Sequence, residues 1–325
     1  MSREYVLITG ATGFIGSHVI EKLFLENQYQ EVAIVREARN YKNVIHLQNK
    51  GVILVEGNFY DKKLLKRIFN TFPIQNVIHV AALRGGGAGT KEEYYNVNVF
   101  GTEMLLEVSL KHRVKKFIFC SSAGVFGTIP RELPANLKTE LSGDNDYHIS
   151  KIMAEKKVHE FTSRGLNAFI VRPTITYGKG DNGFPTILVK LVKKRMLLLP
   201  FKDNKINLLD VNSLADLFIK ILETNNLKHR VFIAADEAPI SLRELVNLIH
   251  SYYYKRNYPS FLRMPNSIFY VNQLIFQAIK NEKWSARMQL IFKNWYYDTT
   301  ETRFLIGFRS ANTKKEFLTY LETLR

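Results

Sequence analysis

Glu4-Tyr5-Val6-Leu7-Ile8-Thr9-Gly10-Ala11-Thr12-Gly13-Phe14-Ile15-Gly16 opens the chain with an apolar strand that runs straight into a glycine-rich loop. A helix follows to Glu26, with Phe14, Ile15, Val19, Ile20 and Leu23 recurring at helical spacing. In such a strand–loop–helix unit Gly10 allows the tight turn, and Gly13 lets a pyrophosphate reach bare backbone. Gly16 lets the helix press closely on the sheet. The helix N-terminus adds free N–H groups and the positive end of a dipole. Two residues rather than one separate the first pair of glycines, so the spacing departs from G-x-G-x-x-G. A glycine-rich turn that holds no ligand is the competing reading.

Working outward, strand candidates at 5–8, 31–35, 52–56, 76–79, 116–120 and 168–172 alternate with helical stretches at 14–26, 61–71, 91–112 and 147–164. Such alternation builds a doubly wound parallel α/β sheet with its ligand crevice at the carboxyl ends of the strands. After Pro173 the alternation weakens. Helices are expected at 184–199, 213–224, 241–255 and 313–324, with short strands at 205–209 and 231–234. The division expected is a nucleotide-binding domain over 1–175 and a smaller substrate-binding lobe over 176–325, with some later strands returning to the main sheet.

Composition narrows the class. Of the 325 residues 46% are hydrophobic and 23% charged, as in an ordinary globular enzyme. A single cysteine, Cys120, rules out an internal disulfide and favours a reducing, cytoplasmic compartment. Strand-like residues begin almost at Met1, which argues against a signal peptide. The longest uncharged run, Met264 to Ile279, is too short and too polar to span a bilayer. The net charge of +16 is scattered, no nucleic-acid-binding motif accompanies it, and a lysine-rich surface that attracts anionic ligands accounts for it. No Cys/His/acid spacing suits a metal; His18 and His79 read as packing or surface residues. The aromatic and basic run from Tyr252 to Tyr297 reads as a packed substrate lobe, in preference to an amphipathic membrane-surface element.

Tyr147 and Lys151 stand four apart at the start of a helix, so both project from one face. A nearby ammonium favours the phenolate and lowers a tyrosine pKa from about 10, which fits an acid/base pair. By itself this spacing is weak, because the chain holds 16 tyrosines and many lysines. Context strengthens it: Phe117-Ile118-Phe119-Cys120-Ser121-Ser122 is a strand ending in hydroxyls at the same sheet edge as the glycine loop. Cys120 lacks an obvious base for nucleophilic work.

These residues fall into a family pattern. Thr9–Gly16 resembles the cofactor loop of the extended short-chain dehydrogenases/reductases, the NAD-dependent epimerase/dehydratase family. His79-Val80-Ala81-Ala82 is similar to the segment after their fourth strand, and Asn98-Val99-Phe100-Gly101-Thr102 to their Asn-x-x-Gly-Thr helix. Ser121-Ser122-Ala123-Gly124-Val125-Phe126-Gly127 resembles their Ser-Ser-x-x-Val-Tyr-Gly motif, and Tyr147-His148-Ile149-Ser150-Lys151 their Tyr-x-x-x-Lys. Arg172-Pro173-Thr174-Ile175-Thr176-Tyr177-Gly178-Lys179-Gly180-Asp181 is similar to their Arg-Pro-x-x-x-Tyr-Gly-x-Gly stretch. The likeness extends to Tyr296-Tyr297-Asp298 and Leu305-Ile306-Gly307-Phe308. The resemblance implies a Rossmann-type fold and an NAD(P) cofactor. In it Tyr147 is the general acid/base. Lys151 lowers the tyrosine pKa and bonds the nicotinamide ribose, and Ser122 holds the substrate oxygen, with Ser121 as the neighbour most easily mistaken for it. It also implies a cofactor site of Gly10, Thr12, Gly13, Phe14, Ile15, Gly16, Arg36, Asn58, Phe59, Ala81, Ala82, Asn98, Tyr147, Lys151 and Pro173.

Departures from the pattern refine the expectation. Val35-Arg36-Glu37 stands where NAD-preferring relatives carry an acid, and an arginine there suits a 2′-phosphate, so NADP is favoured over NAD. Arg39 and Lys42 assist, whereas Glu37 argues the other way. Phe126 replaces a common tyrosine, Asn58 an aspartate, and Val211-Asn212-Ser213 a stretch that usually holds two aspartates. Ala123-Gly124 stands where dehydratases carry Asp-Glu, leaving 4-epimerase or 4-ketoreductase chemistry on a nucleotide sugar. A hydroxysteroid- or flavonoid-type reductase and a non-catalytic dinucleotide sensor are the alternatives. Gly85 to Gly89 forms a loop above the crevice that suits a substrate lid. A homodimer through the helices at 91–112 and 147–164 is implied by the resemblance alone.

Overall fold

The computed structural model describes residues 3–36, 47–85, 89–279 and 281–325. Seven parallel strands form one sheet: β1 (Glu4–Thr9), β2 (Tyr29–Val35), β3 (Ile53–Glu56), β4 (Ile74–His79), β5 (Lys116–Cys120), β6 (Ala168–Pro173) and β11 (Val231–Ala234). Their order is β11-β6-β5-β4-β1-β2-β3. The direction of winding reverses between β1 and β4, which opens a crevice at their carboxyl ends. Glycine substitutes for side chain there, since a Cβ on Gly10 would stand 2.7 Å from the Ala81 nitrogen beyond β4.

The central strands are apolar along their length because helices cover both faces. One face carries α1 (Phe14–Glu26) and α7 (Val211–Glu223), whose Val19, Ile20, Leu23, Leu217 and Phe218 share a core with Val6, Ile8 and Phe232. The other carries α2 (Lys62–Thr71), α4 (Gly101–Lys111) and α5 (Asp146–Ser163), packed on Leu7, Val77, Phe117 and Ile170. Asp61 caps α2 and Asn145 caps α5 through side-chain bonds to first-turn N–H groups, the usual device for those orphan donors. The helix expected over 91–112 is broken into α3 (Lys91–Tyr94), a π-helical turn (Tyr95–Phe100) and α4.

A third core lies beyond the carboxyl edge of the sheet. It joins α6 (Phe184–Lys193), α8 (Leu242–Tyr254) and α12 (Thr313–Glu322) with β7 (Ile175–Tyr177), β8 (Leu199–Pro200), β9 (Lys205–Ile206), β10 (Leu208–Asp210), β12 (Ile240–Ser241) and β13 (Arg263–Met264). The stretch expected to be helical over 184–199 leaves the helix after Lys193, where Arg195 turns left-handed (φ 54°) and Leu199 enters a pairing with Arg263. The expected strand at 205–209 is two strands, one paired with β12 and one with β7. The 252–297 run contains a helical hairpin of α9 (Asn266–Ala278) and α10 (Glu282–Phe292), and α11 (Thr300–Ile306) follows it. After residue 175 the chain thus serves both regions, because α7 and β11 belong to the main sheet layer.

Candidate functional site

The glycine loop is a cradle built from backbone. Gly10 has φ 76°, a conformation that a side chain disfavours, and its carbonyl accepts the Gly13 N–H at 2.9 Å. A Cβ on Gly16 would lie 2.1 Å from that same carbonyl, so Gly16 presses helix α1 against the loop itself. Gly13 caps α1 without any side-chain bond to the first turn. Those N–H groups and the dipole end they carry fit a pyrophosphate. Thr12, Phe14 and Ile15 are partly accessible around this turn.

A buried relay fixes the neighbouring strand ends. Thr102 donates its hydroxyl hydrogen to the Asn98 carbonyl (2.7 Å), so the 2.9 Å contact with His79 Nε2 must be an N–H donated by the histidine. His79 Nδ1 then accepts from Thr9 Oγ1 at 2.6 Å, and Thr9 Oγ1 accepts the Ala81 N–H at 3.1 Å. Burial, with the Lys151 charge adding to it, pushes the His79 pKa down to about 3, so the ring is neutral. The sequence signal for Thr9, His79 and Thr102 was present in the quoted motifs, yet their connection was not visible there.

The other expected cofactor residues divide. Asn98 is buried and spends its amide on the Leu83 backbone (2.7 and 3.0 Å) and on Ser150 Oγ (2.9 Å), holding the loop after β4 against α5. Phe59 packs on the His79 ring, with centroids 5.0 Å apart. Asn58 and Ala82 are partly accessible, and Arg36 is exposed at the end of β2. Glu37, Arg39 and Lys42 lie outside the described residues, as do positions 86–88 of the 85–89 loop.

The structure separates the two serines. Ser121 Oγ donates to Glu155 (2.5 Å), which also receives Arg172 in a bidentate pair of 3.0 and 2.6 Å, all three side chains buried. Ser122 instead caps a 3-10 turn (Ala123–Phe126) by accepting the Gly124 N–H at 3.0 Å, and it faces an open cavity. The strand-end cap and the cavity-facing hydroxyl are therefore the same group. Tyr147 faces that cavity too. Gly85 lies over its ring, where a Cβ would come within 2.9 Å of Cδ1.

Lys151 is 2% exposed and donates to the Cys120 carbonyl at 2.7 Å, above the Phe119 ring. Burial lowers its pKa to about 8, against the pull of Cys120 and Glu155. Burial also raises Tyr147 to about 12, while a hydrogen bond with Ser122 and the Arg84 charge act the other way. In this arrangement the ammonium serves the Cys120 carbonyl, and the phenol is a proton donor. The Cys120 thiol is pushed up to about 11 by burial, which leaves it unreactive.

The cavity holds about 860 Å³. At the catalytic end it meets Ser122, Tyr147, Pro173 and Thr174, with His148 tied to Asp144 at 2.6 Å. Burial works to raise Asp144, but its bonds from His148 and Thr128 outweigh that and hold it below the usual carboxylate range. At the far end Leu191, Met196, Met264, Phe269, Met288 and Ile291 make an apolar wall. Among the described residues no aspartate or glutamate lines the cavity; Arg84 and Arg287 do. Among the described residues no cluster of His, Cys, Asp or Glu is arranged to hold a metal.

Known proteins share this framework. The model of the NAD-dependent epimerase/dehydratase family matches residues 6–235. The bifunctional protein gal10 of Schizosaccharomyces pombe is 34% identical over 227 residues, 62% of this chain and 31% of its own length. The UDP-glucose 4-epimerase of Vibrio cholerae is 30% identical over 255 residues, 74% of this chain and 73% of its own length. The matched part spans 60% of the UDP-glucose 4-epimerase GEPI48 of Cyamopsis tetragonoloba. Among solved structures, the UDP-glucose 4-epimerase of Thermotoga maritima with UDP-glucose superposes with a TM-score of 0.77 at 22% identity, covering 99% of this chain and 98% of that one. The Bordetella bronchiseptica enzyme WbmG in complex with NAD gives 0.76 at 19% identity, with 99% and 94% covered. At such identity the two structures attest the shared fold. The ordered motifs, the sheet topology and the extent of the family match make this chain a member of the NAD-dependent epimerase/dehydratase family.

Proposed function

We propose that the protein is a nucleotide-sugar 4-epimerase, acting on a UDP-hexose in the cytoplasm. The observation that carries this reading is the convergence of the Ser122 and Tyr147 hydroxyls on one cavity, one helical turn from the buried Lys151. Gly10, Gly13 and Gly16 with the α1 N-terminus hold the dinucleotide pyrophosphate. Thr12, Phe14, Ile15, Asn58, Ala81, Ala82 and Pro173 line its path, and Asn98 and Phe59 act by holding that path in place. When bound, the nicotinamide supplies hydride exchange at the sugar carbon. Tyr147 exchanges the proton of the sugar hydroxyl, and Ser122 orients that oxygen. As a base Tyr147 needs positive charge beside its ring, and Lys151 supplies it on leaving the Cys120 carbonyl.

The direct test incubates the purified protein with UDP-glucose and NAD or NADP and follows the UDP-galactose formed. Tyr147→Phe should cut turnover by about 10²–10⁴-fold while leaving cofactor affinity in place; full turnover in that variant rejects the assigned mechanism. Arg36 supports NADP as the preferred cofactor, and Arg36→Asp should then shift the preference toward NAD. The apolar far wall of the cavity favours a second reading, a reductase of hydroxysteroid or flavonoid type. Thermal stabilisation by sterols and not by UDP would select it. The exposed Phe100, which borders a groove with Phe161 and Arg164, supports a homodimer through α4 and α5, measurable by light scattering.

A further inference from the structure

Helix α9 is apolar on two sides. Its inner side presents Ile268, Phe269, Asn272 and Phe276 to the cavity wall. Its outer side presents Tyr270, Val271, Leu274 and Ile275, which recur at helical spacing and are 45–53% exposed. No charged residue occurs from Asn266 to Ala278. The helix packs chiefly on α10, and Phe276 stacks on Trp284 at 6.0 Å to close the hairpin. The parallel pairing of β13 with β8 sets Phe201, 59% exposed, beside Met264 at the start of α9, where its N–H donates to the Met264 carbonyl at 2.9 Å. An exposed apolar helix face of this kind marks an interaction site.

Charge identifies the partner. Residues 184–205 carry six lysines or arginines against one acid, Asp203, and residues 251–297 carry seven against one, Glu282. Asp203 is already engaged by Ser241 and the Arg243 N–H. Lys194, Arg195, Lys202, Lys255 and Arg256 are exposed, and Lys202 stands at the start of α9, its N–H donating to Asn266 Oδ1 at 3.1 Å. A second copy of this chain would bring like charges together across a two-fold contact. An anionic bilayer surface meets both features, taking apolar side chains among its acyl chains and basic ones at its headgroups.

We propose that the α9–α10 hairpin, with Phe201, is a peripheral docking surface for an anionic lipid membrane. The hairpin lies in the plane of the interface, since no helix among the described residues is long and apolar enough to cross a membrane. Its inner side remains the cavity wall, so the docked enzyme places that wall next to lipid. This inference goes beyond epimerase chemistry and does not depend on it.

Trp284 gives a direct readout, because the only other tryptophan, Trp295, is 1% exposed. Vesicles of phosphatidylcholine with about one third phosphatidylglycerol should sediment the wild-type protein and blue-shift its fluorescence, and brominated lipid should quench it. Val271→Glu combined with Ile275→Glu, two positions outside the cavity lining, should weaken vesicle binding at least tenfold with NAD affinity unchanged. Phe24→Glu combined with Leu25→Glu, an exposed apolar pair on α1, should bind vesicles as wild type does. A wild-type protein that stays in solution with these vesicles, or a hairpin variant that binds as tightly as wild type, overturns the proposal. So does a wild-type dimer that the hairpin variant dissolves while vesicles are ignored, which would assign the surface to a second copy. None of these outcomes depends on turnover, so failure here and failure of the epimerase reading are distinguishable.

Discussion

The end of the parallel sheet and the α9–α10 hairpin handle buried and exposed groups in opposite ways. At the sheet end the buried polar side chains are paired, Thr174 excepted: Thr9, His79 and Thr102 form a chain, and Ser121, Glu155 and Arg172 form another. In the hairpin the polar groups are few and the apolar ones exceed what the lobe covers. The first region is over-determined and fixes atoms to within a hydrogen bond. The second leaves apolar surface uncovered within the chain, the surface proposed above to meet a membrane. Precision of chemistry and adaptability of recognition therefore occupy different parts of one molecule.

The sharpest way to break that contrast is Arg172→Met. It leaves the Glu155 carboxylate buried without its cation, which should cost about 3–5 kcal/mol in denaturant unfolding; a loss below about 1 kcal/mol would mean that the sheet end is not rigidly held by this pair. Acid comes next. His79 has its pKa depressed to about 3 in the fold against 6.5 unfolded. Its contribution is therefore complete above the unfolded value and is lost as pH falls from 6.5 toward 3, by about 1.4 kcal/mol per pH unit within that window. Unfolding free energies measured at pH 6 and pH 4 should show this slope, and His79→Gln should flatten it.

Gly16→Ala forces a methyl group toward the Gly10 carbonyl and should cost about 1–3 kcal/mol with a parallel loss of cofactor affinity by calorimetry. Stability lost without affinity lost would uncouple the loop from the dinucleotide. Smallest is Trp284→Ala, which removes the ring pair that closes the hairpin and should lower stability by about 1 kcal/mol. A larger loss for Trp284→Ala than for Arg172→Met would reverse the ranking of the two regions.

The same contrast explains what could be read from residues alone. The parallel sheet, its glycine loop and the order of the motifs are written in local signals: strand-then-glycine, hydrophobic period and turn chemistry. Those signals place six of the seven strands of the main sheet early in the chain, and the seventh was expected at 231–234, where β11 lies. The resemblance already favours Ser122 over Ser121, but the physical difference between them needs three dimensions: Ser121 is spent on Glu155, whereas Ser122 faces the cavity. The sequence carries one hint, since Tyr147, Lys151 and Glu155 repeat every four residues on one helix face. The π-helical turn at 95–100 escaped because it keeps a helical hydrophobic pattern. The over-long helix at 184–199 arose because Met196 to Leu199 continue an apolar period after the backbone has already turned. In α9 the apolar residues surround the helix, so periodicity gives no facing direction, and the packed lobe expected for this run accounts for only one side of it.

The mounting of helix α5 has a consequence for how this chain can change. Ser150 is held by Asn98, Lys151 by the Cys120 carbonyl and Glu155 by Ser121 and Arg172. None of these anchors comes from a residue after 172, so the reactive face keeps its geometry whatever the later lobe becomes. Substitutions at the exposed and cavity-lining positions of 184–205 and 251–297 that keep the third core packed can accumulate without moving these anchors. Laboratory evolution aimed at new substrates should therefore find its tolerated diversity in those two segments, and its lethal positions on one helix and two strand ends.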